Sequence, residues 1–205
     1  MYKKSITACV AIAAFAAFVV APVASASPVL TSEGSAVAVG TTVKGSNTGV
    51  FKFQSSAGGY TIECSSVGLD ANVTANAGTK IQMESPAGGF TTTGTGTSGD
   101  CTASWGPAKL AWGKMCFATV EKTDTVSVTG CGGNLTLTTN ITGTADCLYA
   151  AASGSGTFVT GADAQITVSS LPEILQESSF FCPTEVKFSM VFDLTTASGG
   201  TLLIS

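Results

Sequence analysis

Apolar and polar positions alternate with a period of two through most of this 205-residue chain. Val186, Phe188, Met190, Phe192 and Leu194 share one face of a segment whose other face carries Glu185, Lys187, Ser189 and Asp193. Tyr60, Ile62 and Cys64 alternate with Thr61 and Glu63 in the same way. Phe51-Lys52-Phe53-Gln54, Lys80-Ile81-Gln82-Met83-Glu84 and Asn134-Leu135-Thr136-Leu137-Thr138 repeat the pattern. An amphipathic helix needs an apolar spacing of about 3.6 and a half-buried strand one of about 2, so these segments predict strands. Ala57-Gly58-Gly59, Ala87-Gly88-Gly89 and Ser198-Gly199-Gly200 punctuate them and predict tight turns. Residues 171–178, opening with Leu171-Pro172-Glu173-Ile174-Leu175, read instead as a Pro-started turn or short helix. The pattern as a whole predicts an all-β fold, an antiparallel sandwich or barrel.

A faint repeat runs through the chain. Tyr60 to Trp105 contains Cys64, Ile81-Gln82-Met83, Phe90 and Cys101, and Ala145 to Phe188 contains Cys147, Phe158, Ile166-Thr167-Val168 and Cys182. The expectation is one domain spanning 27–205 or two tightly fused halves, about 27–120 and 121–205, with no visible linker between them.

Residues 1–26 break the alternation. Met1-Tyr2-Lys3-Lys4 is cationic, Ser5 to Val20 is almost wholly apolar, and Ala24 and Ala26 fit a small-residue cleavage rule. This is the layout of a secretory signal peptide, so the mature chain is expected outside the cytoplasm, secreted or at the cell envelope. No later apolar run is long enough for a transmembrane helix.

Without residues 1–26 the nine lysines fall to 7 against 13 acidic residues, a net charge of −6, and the chain has neither Arg nor His. Nucleic acid binding draws on clustered Lys and Arg to displace counterions from phosphates, so that class is excluded.

Six cysteines remain: Cys64, Cys101, Cys116, Cys131, Cys147 and Cys182. An even number in an exported chain predicts disulfides. Zinc is the rival reading, but there is no Cys-x-x-Cys pair and no His to complete a tetrahedral site. Six cysteines allow 15 connectivities. The sequential one, Cys64–Cys101, Cys116–Cys131 and Cys147–Cys182, gives two long loops flanking a short one.

Catalytic machinery is sparse. Without His, neither a Ser-His-Asp nor a Cys-His site can be built. A carboxylate-only glycosidase remains formally open, yet Glu63, Glu84, Glu185 and Asp193 all fall on polar strand faces. Gly94-Thr95-Gly96-Thr97-Ser98-Gly99 matches a dinucleotide fingerprint by letter but lacks the strand and helix that give it meaning, so it reads as a hairpin loop. No cofactor and no metal site is predicted. Trp105 and Trp112 bracket a short segment and could form an aromatic platform for a sugar or an apolar ligand. The alternative is that at least one packs in the core. Lys52 and Lys187 sit between apolar neighbours, but alternation points both outward, away from any isopeptide bond. Asn72, Asn134 and Asn140 head Asn-x-Ser/Thr triplets and mark surface strands.

Val39 to Asn47, Tyr60-Thr61-Ile62-Glu63-Cys64-Ser65-Ser66 and Gly94-Thr95-Gly96 ahead of Cys101 form the first part of a wider layout. Cys147, Asp163 to Val168, Phe181-Cys182-Pro183 and the final strand complete it. In this order they resemble a group of uncharacterised secreted actinobacterial proteins with disulfide-bearing β-strands. More distantly the chain is similar to PraB-type extracellular proteins, with an inserted spacing in the Pro107–Trp112 segment. The resemblance implies a surface role or uptake of hydrophobic substrates and supplies no catalytic residues. The sequence therefore predicts a non-enzymatic surface or binding protein, whose partner is an envelope component or a small apolar or saccharide ligand. An outer-envelope β-barrel channel is the alternative, and a glycosidase the third reading.

Overall fold

Alternation in the sequence becomes alternation in burial: along Glu185–Thr196 the inward residues Val186, Phe188, Met190, Phe192 and Leu194 are buried, while Lys187 and Ser189 face out. The computed structural model describes residues 29–47, 49–78, 80–86, 88–93, 101–120, 124–143, 145–159, 163–178 and 181–204. Residues 1–26, expected to be a signal peptide, and the Gly94–Gly99 motif lie outside the described residues. No helix among the described residues is long and apolar enough to cross a membrane.

The chain builds β1 (Leu30–Ser32), β2 (Ser35–Ala36), β3 (Thr42–Asn47), β4 (Phe51–Ser55), β5 (Thr61–Cys64) and β6 (Ser66–Ala77). There follow β7 (Lys80–Ser85), β8 (Phe90–Thr93), β9 (Cys101–Ala103), β10 (Gly106–Trp112), β11 (Met115–Thr119) and β12 (Thr125–Gly130). The last third holds β13 (Leu135–Ile141), β14 (Ala145–Ala151), β15 (Gly154–Val159), β16 (Gln165–Ser178), β17 (Glu185–Thr196) and β18 (Leu202–Ile204). The fold is all-β and antiparallel.

Pairing closes an eight-stranded barrel in the order β3-β17-β16-β15-β12-β11-β7-β6 and back to β3. The remaining pairings close a second ring, β17-β4-β5-β9-β10-β13-β14-β16 and back to β17. The two rings share β16 and β17. Gln165–Val168 of β16 pair with β15 in the first ring, and Ile174–Ser178 pair with β14 in the second. On β17, Phe192–Thr196 pair with β3 and Val186–Ser189 with β4. Between these shared strands and β3, successive hairpins alternate between rings, so each ring draws strands from both sides of residue 120.

Residues 171–178 are therefore strand, which corrects the expected turn or short helix. A register shift between Val168 and Leu171 marks the change of ring, and Pro172 pairs opposite Lys187 just beyond it. Proline is tolerated in a strand beside such an irregularity, and the residue before it is biased to extended backbone. Ladders with both β14 and β17 then outweigh local propensity.

The disulfides follow the sequential connectivity: Cys64–Cys101, Cys116–Cys131 and Cys147–Cys182, with Cα atoms 4.5, 5.2 and 5.8 Å apart. A third, small sheet (β18-β1-β2) buries Leu30, Leu202 and Ile204. Asn76 on β6 ties this sheet down. Its Nδ2 donates to the carbonyls of Leu30 (2.7 Å) and Val37 (2.8 Å), and its Oδ1 accepts from the Leu30 amide at 2.8 Å.

One continuous core fills both rings. Phe192, Phe90, Trp112 and Phe188 stack in sequence with centroids 5.4, 5.4 and 4.8 Å apart, carrying aromatic packing from one ring to the other. Gly156 pairs with Val168 across the β15–β16 ladder, where a Cβ would lie 2.2 Å from the Thr167 carbonyl oxygen. Only glycine fits at that point.

Candidate functional site

Four hairpin turns meet at one end of the second ring. The β4–β5 turn and the β9–β10 turn are joined by Thr61 and Ser104, the Ser104 amide donating to the Thr61 carbonyl (3.0 Å) and the Thr61 amide to the Ser104 hydroxyl (3.1 Å). The β13–β14 turn docks on β10 through the Thr142 amide and the Pro107 carbonyl, 3.0 Å apart. The β16–β17 connection reaches the β4–β5 turn, where the Ser56 amide donates to the Glu185 carbonyl at 3.2 Å.

Between the β4–β5 and β16–β17 turns runs an open groove of about 730 Å³. Trp105 and Phe181 stand on it, 45% and 53% exposed, with ring centroids 6.3 Å apart in an edge-on arrangement. Behind Trp105 lies buried Tyr60 (5.3 Å), and behind Tyr60 lies Phe53 (6.2 Å). The exposed pair is thus the outcrop of an aromatic stack rooted in the core.

Both aromatic turns are braced. Cys64–Cys101 links β5 to β9, one turn away from Trp105, and Cys147–Cys182 links β14 to the residue after Phe181. Part of the lining is polar. The Ser56 hydroxyl donates to Glu185 Oε1 at 2.9 Å, and Lys187 Nζ lies 3.5 Å from the same oxygen. Among the described residues, Glu185 is the one carboxylate lining the groove, and no lysine lines it.

Tyr60 forms the floor. Burial pushes its phenol above the ordinary 10.0, and the Thr139 hydroxyl opposes the shift. Both hydroxyls are buried, and neither makes a hydrogen bond of good geometry among the described residues.

The two tryptophans marked in the sequence part company. Trp112 is 4% exposed and packs edge-on against Phe188 and Phe51, and its indole N–H has no acceptor among the described residues. Trp105 alone reaches the surface, and its exposed neighbour is Phe181. That partner was missed because strand alternation says nothing of a turn, although an aromatic directly before Cys182-Pro183 was a signal.

Lys52 and Lys187 point outward, each facing a glutamate: Lys52 meets Glu63 at 2.8 Å and Lys187 meets Glu185. Asn72 accepts a hydrogen bond from Thr42, and Asn140 donates to Asp146 on the outer face. Glu84 lies near Cys116 and Cys131 in a grouping of metal-ligand type. Both sulfurs are committed to a disulfide, however, and a metal needs free thiolates. No protein family, curated relative or solved structure matches the chain. What the groove does must be read from its own geometry.

Proposed function

We propose that this chain is an exported, non-enzymatic β protein that acts as a binding or surface component of the cell envelope. The observation that carries the reading is the groove, where two exposed aromatic side chains stand on disulfide-braced turns beside polar side chains. Rigid aromatic anchors with a few oriented polar groups are the usual make-up of a binding site. Three disulfides suit an oxidising compartment. The sequence resemblance to surface-associated β proteins points the same way.

Catalysis has little to work with here. A glycosidase needs two carboxyl groups about 5–9.5 Å apart across the scissile bond, and the groove offers Glu185. A membrane channel needs an apolar exterior around a polar lumen. Here the ring interiors hold Phe, Leu, Ile and Val, and the outward positions carry Ser, Thr, Lys and Glu.

Fractionation of producing cells into medium, salt wash and detergent extract tests the reading, with blotting for the mature chain. Recovery in medium or salt wash is expected. Recovery only in detergent would overturn it and favour the channel.

A further inference from the structure

We infer that the groove between the β4–β5 and β16–β17 turns takes a neutral saccharide, stacked on the face of Trp105. This rests on the binding reading above and names its ligand class. A sugar ring presents an apolar C–H face and a rim of hydroxyls, and the groove presents the complement of both. Trp105 offers a large, half-exposed π-face with Phe181 set edge-on beside it. The same lining holds the Ser56 hydroxyl and the Glu185 carboxylate, the latter oriented at Oε1 by Ser56 and Lys187 and keeping acceptor capacity at its other oxygen.

Charge narrows the class. No lysine lines the groove, the chain has no Arg, and Lys187 beside it is paired with Glu185, so phosphorylated or uronic sugars would meet no uncommitted positive charge. Shape narrows it further. An acyl chain or other wholly apolar ligand gains from enclosure that buries most of its surface, and this groove lies open along its length. A polyol keeps its outer hydroxyls hydrated in such a site and loses nothing by the exposure.

Rigidity supports the same conclusion. Stacking on an aromatic gains most when the ring is already held, because less freedom is lost on binding. Trp105 is backed by buried Tyr60, and Cys147–Cys182 anchors the residue next to Phe181.

The test titrates the mature protein with soluble neutral oligosaccharides: β-1,4- and β-1,3-linked glucose oligomers and N-acetylglucosamine oligomers. The two tryptophans make the readout clean, because Trp112 is buried and acrylamide quenching reports on Trp105. Saturable binding is expected with at least one series, with Trp105 protected from quenching and affinity unmoved by added salt. Trp105→Ala should weaken it by about tenfold or more, as for an aromatic anchor at a binding hot spot. Trp105→Phe should keep part of the affinity, and unchanged melting of both variants shows that the fold is intact. Displacement by tetramethylammonium, with affinity that falls as salt rises, would overturn the proposal in favour of a cation held by aromatic faces and Glu185. Retention on isolated envelope that needs Trp105 but is not competed by any of these sugars would overturn the saccharide and leave the binding reading standing. Retention and sugar binding both indifferent to Trp105→Ala would overturn both.

Discussion

Asn76 shows how much one side chain can organise. Its side-chain amide adds three hydrogen bonds to the backbone of Leu30 and Val37, residues 46 and 39 positions away, beside the bond those two make with each other. Three hydrogen bonds of about 1 kcal/mol each lead us to expect that Asn76→Ala costs about 3 kcal/mol in chemical denaturation. Loss of protease protection in residues 30–37 should accompany it. Tyr60 carries the pH dependence. Its folded-state ionisation lies above the unfolded value of 10.0, so burial of the neutral phenol stabilises the fold fully below pH 10. As pH rises further the unfolded chain gives up this proton first, and stability falls. Denaturation midpoints measured from about pH 9 to 11 should decline, and Tyr60→Phe should flatten that decline. Neither role could be read from the sequence, where Asn76 is one polar residue at a strand end and Tyr60 one apolar position among many. The strand faces themselves were legible, because period-two burial is a local property: Ile81, Met83, Leu135 and Leu137 are all buried as their alternation predicts.

At the level of elements, the disulfides divide by accessibility. Cys64 and Cys101 are 0% and 1% exposed, whereas Cys116 and Cys131 are both partly exposed. Thiol–disulfide exchange needs access to a sulfur. Under graded reduction of the native protein we expect Cys116–Cys131 to open first and Cys64–Cys101 last, as read by alkylation and peptide mapping. The sequence separations of 37, 15 and 35 residues imply loop-entropy contributions of about 4, 3 and 4 kcal/mol respectively. First opening should therefore cost the least stability. The connectivity was accessible to sequence reasoning because every bridge joins consecutive cysteines. The second half of β16 was not, since its helical look came from Leu171-Pro172-Glu173 and its true state from tertiary ladders with β14 and β17 that the local pattern does not show. The groove was half legible for a related reason: Trp105 stood out, but Phe181, Ser56 and Glu185 meet it only once four turns converge.

Across the whole molecule, the interleaving of hairpins sets what can fold alone. Each ring needs Gln165–Thr196 for two of its eight strands. A chain cut before residue 165 leaves both rings open, with β15 and β14 facing solvent along one edge and β3 and β4 along the other. We expect that truncation to lack a protease-resistant core and a cooperative thermal transition, whatever its content of local hairpins. A barrel built from the first ring's strands alone should fail as well, because every junction between its hairpins is missing. Such long-range closure also predicts slow folding, as non-local pairings bear their loop-closing entropy before they yield contacts. In synthesis β16 and β17 follow every other strand of both rings. Until they emerge, the nascent chain has nothing around which to lock. Under the export proposed above, that lateness keeps the polypeptide pliable while it threads a translocation pore and lets it set hard on the far side.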